Sequence, residues 1–224
     1  MKLHVWIAAS LLPAFATPAA AQPRDIDRPG TVSHAAAAAH FPERVGDFRR
    51  SNVTQYDEAA NNVSASYNLV RGGDRLLITV YVYPVAAVQA APGSARTADV
   101  ARATLCRQEL RMVGQVVENQ RPDARRIDEG AAPAVDGVGP GLNLRSVYSF
   151  AAPFNGREQQ VRSETDLYCY VGGDWLVKYR ATSNAGFDAA GAIEQFIRSG
   201  PWPGRNPPPA PDEVVSLPTS FSPS

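Results

Sequence analysis

The usual base that activates a serine, cysteine or threonine nucleophile is histidine, and this 224-residue chain has three, at His4, His34 and His40. His34 and His40 flank the alanine run 35–39 and stand six positions apart, about 600° of helical rotation, so a helix would turn them to different sides. A zinc site needs three or four converging ligands; the pair therefore predicts solvated histidines in a linker. No Gly-x-Ser-x-Gly elbow, phosphate-cradling Gly-x4-Gly-Lys or dinucleotide Gly-x-Gly-x2-Gly is present. Gly137, Gly139 and Gly141 alternate, but in a Pro-interrupted loop without a strand before or a helix after. Glu164 and Asp166 share one side of a predicted strand, whereas glycosidase pairs usually come from separate elements around a cleft. They predict a solvated sheet face. No catalytic residue, cofactor site or metal site is assigned, and binding is favoured over catalysis.

The two cysteines carry a firmer reading. Val100, Ala103, Cys106, Leu110, Val113 and Val117 recur at steps of three and four, the stripe of an amphipathic helix about 20 residues long. Cys169 shares strand parity with Thr165, Leu167 and Val171. Two independent periodicities aim both thiols at one interface, which predicts a Cys106–Cys169 disulfide worth roughly 4 kcal/mol on the chain-entropy model. A redox-enzyme role has no support, because no Cys-x-x-Cys occurs.

Tyrosine is the other informative residue. Tyr81 and Tyr83 share the parity of Leu77, and Tyr168 and Tyr170 that of Arg162 and Glu164. These four are the candidate ligand or partner face, placed opposite the long helix as a stacking and hydrogen-bonding platform for a sugar, a peptide or a partner protein. The competing reading has the last helix or the 22–40 segment covering that face, with the tyrosines as cross-strand stabilisers.

The elements that must position these residues follow from period and punctuation. Strands are predicted to about Tyr56, over 63–69, 76–83, 125–128, 142–150, 160–171 and 175–182, with helices beginning near Ser94 and after Asn184. Gly72-Gly73 and Gly172-Gly173 read as hairpin turns. The two stretches around them echo each other, each an aromatic strand, a Gly-Gly-Asp turn, an apolar strand and then a helix. Duplication and convergent turn chemistry both account for the echo. The predicted fold is α+β, an antiparallel sheet of about six or seven strands covered by a long amphipathic helix and a C-terminal helix. This element order, over about residues 41–203, resembles the Mog1/PsbP-like α/β sandwiches. The resemblance is one of element order and implies a small exported or lumenal accessory protein.

Lys2, the apolar run from Val5 to Ala16 and the small residues Ala19, Ala20 and Ala21 form an export signal, with cleavage expected after Ala21. Pro13 interrupts a stretch already too short to span a bilayer, so no stable membrane anchor is expected after cleavage. The organisation expected is a signal at 1–21, a flexible Ala/Pro-containing linker at 22–40, one domain at 41–203 and a disordered Pro/Ser-rich tail at 204–224. Among 22 basic residues only Lys2 and Lys178 are lysines, a bias typical of GC-rich bacterial genomes, which makes the expected address periplasmic, or secreted. With 44% hydrophobic residues, 20% charged and zero formal net charge, the chain can bury a core and offers no electrostatic reason to seek nucleic acid. The expected role is a non-enzymatic binding or envelope accessory protein with a protein, peptide or glycan partner and no cofactor. The alternative is a hydrolase with an unrecognised carboxylate or Tyr/Arg site.

Overall fold

The computed structural model describes residues 22–26, 28–88, 94–139, 141–204 and 214–216. The export signal expected at 1–21, and the expected tail apart from residues 204 and 214–216, lie outside the described residues.

The predicted linker is folded. β1 (Arg24–Ile26), β2 (Thr31–His34), β3 (Ala39–Phe41) and β4 (Arg44–Val45) occupy and follow it. β2 and β3 pair antiparallel, and Val32, His34, Ala37, Ala39 and Phe41 are buried. The expectation of a flexible tether fails because the short alternations Val32/His34 and Ala39/Phe41, hidden around a low-complexity alanine turn, supply enough apolar surface to pack. Within the predicted tail, β12 (Val214–Ser216) pairs parallel with β2, so a backbone ladder holds those residues where disorder was expected.

Two meanders make the rest. β5 (Phe48–Gln55), β6 (Val63–Arg71) and β7 (Asp74–Pro84) lead into α1 (Ala95–Gln120) and the edge strand β8 (Arg125–Ala131). β9 (Asn143–Phe154), β10 (Arg157–Val171) and β11 (Trp175–Asn184) lead into α2 (Ala190–Ser199). At the first hairpin Arg71 pairs with Asp74 across Gly72 and Gly73, whose φ values of 58° and 90° are those a two-residue turn requires. Among the described residues nine strands join in one antiparallel sheet, in the order β1-β5-β6-β7-β11-β10-β9-β8 with β4 on β5. The α+β class is as read, with 20% of the described residues in helix against 48% in strand. The sheet is larger than six or seven strands because the N-terminal segment adds two of its own, and the helices cover less of it than expected.

Cross-strand register fixes the faces. On one face α1 lies over β9 and β10, burying Cys106, Leu110 and Val117 against Leu167, Leu176, Phe150 and Val161. Val100, predicted in the stripe, is 60% exposed; the buried positions run instead through Ala98, Cys106, Leu110, Gly114 and Val117. Gly114 costs the helix roughly 1 kcal/mol relative to Ala, but a Cβ there would stand 2.6 Å from the Tyr148 hydroxyl, and the close approach accounts for the glycine. On the opposite face α2, Trp202 and the β2–β3 hairpin cover the half-sheet around Tyr67, Tyr179, Ile78 and Val80.

Each helix therefore covers the half of the sheet made by the other meander, on opposite faces. β7 and β11 meet antiparallel at the centre. A rotation exchanging two antiparallel neighbours within a sheet keeps the faces unchanged, so no rotation superposes one meander and its helix on the other. The echo in the sequence is turn chemistry, not a rotational repeat.

Candidate functional site

The disulfide is formed: Cys106 of α1 and Cys169 of β10 have Sγ atoms 2.08 Å apart and Cα atoms 5.9 Å apart. It clamps α1 onto the sheet and so determines what the helix leaves open. The helix reaches β9, β10 and the edge of β11. Beyond it the same face continues across β11, β7, β6 and β5 with no helix above it among the described residues. Its side chains alternate as a wet face demands, with Asn52, Ser66, Thr79 and Thr182 half-exposed.

Three of the four predicted tyrosines come to this side, and the fourth does not. Register places Tyr81 opposite Lys178 and Tyr83 opposite Leu176, whose side chain packs under α1. Tyr81 and Tyr83 thus lie beside the long helix, not opposite it. Tyr170 joins them because the β10–β11 ladder breaks between Tyr168 and Val171, and Tyr170 takes a left-handed φ of 58°. This bulge reverses the parity that put it with Tyr168, and Tyr170 packs on the cluster around the disulfide. Tyr168 points the other way and is fully buried, with Tyr179 and Trp202 rings 6.0 and 4.9 Å away and its hydroxyl donating to the Pro133 carbonyl at 3.1 Å. α2, Trp202 and the 22–40 segment cover that face, as the competing reading had it.

The open side carries an aromatic and basic patch. Lys178 Nζ stands 4.5 Å from the Tyr81 ring centre and 5.3 Å from that of Tyr83, a double cation–π arrangement. The Tyr56 and Tyr81 rings lie 6.3 Å apart, and Tyr56 and Ser64 hydroxyls are 3.1 Å apart. Tyr83 donates to Glu109 Oε1 at 2.6 Å, fixing its ring against α1. Burial raises the Tyr81 and Tyr83 hydroxyl pKa values above the ordinary tyrosine value, with Glu109 adding to the effect on Tyr83, so both remain proton donors at neutral pH. Burial lowers the Lys178 pKa, partly opposed by the Glu109 charge. Farther along, Arg102 lies 5.6 Å from the Tyr170 ring centre. Tyr56, Lys178 and Arg180 had not been singled out in the sequence. The parity linking Lys178 and Arg180 to Leu176 was legible; how far α1 reaches across the sheet was not.

Glu164 and Asp166 are not on a solvated face. Both side chains are buried, at 5% and 1% exposed, with Arg145 3.0 Å from Glu164 and 2.8 Å from Asp166. The segment around Ala132 and Pro133 folds over the β10 side to which Tyr168 belongs, which removes the expected solvent. Burial raises the Asp166 pKa above the ordinary carboxylate range, with the Glu164 charge adding to it and Arg145 opposing. Asp166 lines neither the groove beside β1 and β5 nor the groove between α1 and β8–β9, and its contacts are those of a structural ion pair. His34 is buried with an edge-on Trp175 ring at 5.0 Å, and His40 sits 2.9 Å from Ser33 Oγ, so neither is a solvated linker histidine. No helix among the described residues is long and apolar enough to cross a membrane.

Comparison with protein-family models, curated proteins and solved structures gives no match to this chain. The functional reading rests on the site itself.

Proposed function

We propose that this chain is an exported, non-enzymatic binding protein of the cell envelope, and that its contact surface is the patch formed by Tyr56, Tyr81, Tyr83, Lys178 and Arg180 on the open half of the sheet. The observation that carries the reading is Lys178 held over two half-exposed tyrosine rings with no carboxylate among the described residues bonded to its ammonium. Aromatic rings with a polar edge, a cation and flanking Ser, Thr and Asn side chains suit a partner that stacks and carries negative charge, such as an acidic peptide segment or an acidic glycan. Export is supported by the sequence of residues 1–21 and by the disulfide, since such bonds persist in oxidising compartments. The hydrolase alternative has less support, because Glu164 and Asp166 are covered and engaged by Arg145.

The test is affinity recovery of the tagged full chain from envelope extracts, followed by mass spectrometry of co-purifying protein and glycan. The expected result is a protein or glycan held by the parent chain and lost, or bound at least tenfold more weakly, with Tyr81→Ser and Lys178→Glu, while thermal unfolding shows both variants folded. Recovery that is indifferent to both variants, or no recovery alongside turnover in a broad hydrolase screen, overturns the proposal.

A further inference from the structure

On the other flank of α1, away from the tyrosines, helix and sheet diverge. Between α1 and strands β8 and β9 runs a groove of about 480 Å³, within the size range of small-molecule sites. Leu110 and Leu144 give it apolar wall, and Ser146 and Tyr148 of β9 reach it from the sheet.

Ser146 is the unusual member. Its side chain is buried, at 2% exposed, and its Oγ has no hydrogen-bond partner, one of only two buried side-chain polar atoms so placed among the described residues. Folded proteins satisfy nearly all such groups. The other, Asp166 Oδ2, is on the opposite face, on a carboxylate whose Oδ1 is held by Arg145. Ser146 is instead one of the residues that line the open groove.

Charge around the groove is unequal once internal pairs are removed. Arg126 is paired with Glu129, while Glu118 accepts from the neutral Tyr148 hydroxyl at 3.3 Å and keeps its charge, so of the two acids lining the groove one is balanced by a cation. Arg107 and Arg111, one turn apart on α1, have no carboxylate partner among the described residues; the Arg107 guanidinium donates to Thr104 Oγ1 at 3.2 Å. The disulfide at Cys106 fixes the turn of helix that presents them. A cationic lip, an apolar wall and an unused buried hydroxyl are complementary to one chemistry: an acid head group with a short apolar body.

We infer that the groove between α1 and β8–β9 binds a small amphipathic carboxylate, with Arg107 and Arg111 holding its charge, Leu110 and Leu144 its apolar part, and the Ser146 hydroxyl donating to a carboxylate oxygen. This site is separate from the tyrosine patch and stands whether or not that patch binds a partner.

Titration of the isotope-labelled full chain with octanoate, followed by amide NMR, tests it, with 1-octanol as the uncharged control. Expected are saturable shifts for residues 107–114 and 144–148 with octanoate and at least tenfold weaker binding of octanol. Arg111→Glu and Ser146→Ala should each weaken octanoate about tenfold, and Ser146→Ala should raise the melting temperature of the free protein by removing an unpartnered buried hydroxyl. Absence of saturable shifts, equal response to octanoate and octanol, an Arg111→Glu variant that binds as well as the parent, or a Ser146→Ala variant of lower melting temperature overturns the inference.

Discussion

His34 shows how a single proton is coupled to the fold. Its Nε2 lies 3.0 Å from the Asn61 carbonyl, which it can meet only as a donor, and its Nδ1 accepts from the Ala37 amide at 3.2 Å. Both bonds are satisfied by one neutral tautomer. A proton on Nδ1 would confront the Ala37 N–H. Burial lowers the pKa below 6.5, against smaller opposing effects of the Asn61 carbonyl and the Asp57 charge. Unfolded histidine titrates near 6.5, so as pH falls through that value the unfolded chain takes up a proton that the folded chain refuses. Stability due to His34 is complete above about pH 6.5 and declines below it. Asp166 has the opposite sense: its raised pKa favours the folded state at low pH, and that contribution is lost as pH rises from the ordinary carboxylate value of about 4. Urea unfolding of the parent and of His34→Gln at pH 5 and pH 7.5 separates the two. The expected result is a smaller loss at pH 5 in the variant than in the parent, and equal slopes would remove His34 from the account. That His34 is buried could not be read from residues 35–39, because an alanine run has no periodicity to reveal an inside.

At the scale of elements, period and turn chemistry did most of the prediction. Strand parity and helical stripe together brought Cys106 to Cys169, since each pattern was regular up to its cysteine. Regularity also explains the failure one residue later: parity counting cannot see the bulge after Tyr168, and it assigned Tyr170 to the wrong side. The coverage of Glu164 and Asp166 was hidden for another reason, as it depends on a loop around Pro133 that has no pattern of its own. The clamp between α1 and β10 carries a prediction. It spans 63 positions, and on the chain-entropy model the double substitution Cys106→Ser/Cys169→Ser should lower stability by about 4 kcal/mol. Chemical denaturation under non-reducing conditions measures this. Backbone exchange should rise most in α1 and at β9–β10, and an unchanged midpoint would mean that packing alone holds the helix.

For the molecule as a whole, the N-terminal segment is part of the core. Phe41 and Val32 are fully buried, and the Arg50 guanidinium donates to the carbonyls of Phe41, Arg28 and Gly30, tying the segment to β5. Burying two such side chains contributes roughly 3–6 kcal/mol, comparable with the net stability of about 5–15 kcal/mol that a domain has in total. A chain beginning at residue 43 should therefore melt about 6–24 °C lower than one beginning at residue 22, or fail to unfold cooperatively, when followed by circular dichroism. A flexible tether could be removed without this effect.

The crossed arrangement of helices has a consequence for synthesis. α1 is made more than 20 residues before the first of the two strands beneath it, and about 50 before the second is complete at Val171. A growing chain thus carries Cys106, Leu110 and Val117 without a surface to cover them while β8 to β10 are still being added, and the first meander likewise waits for α2. Neither half can reach its native form alone. The chain should consequently fold late, in one step and slowly for its size, because its decisive contacts join residues far apart along the polymer.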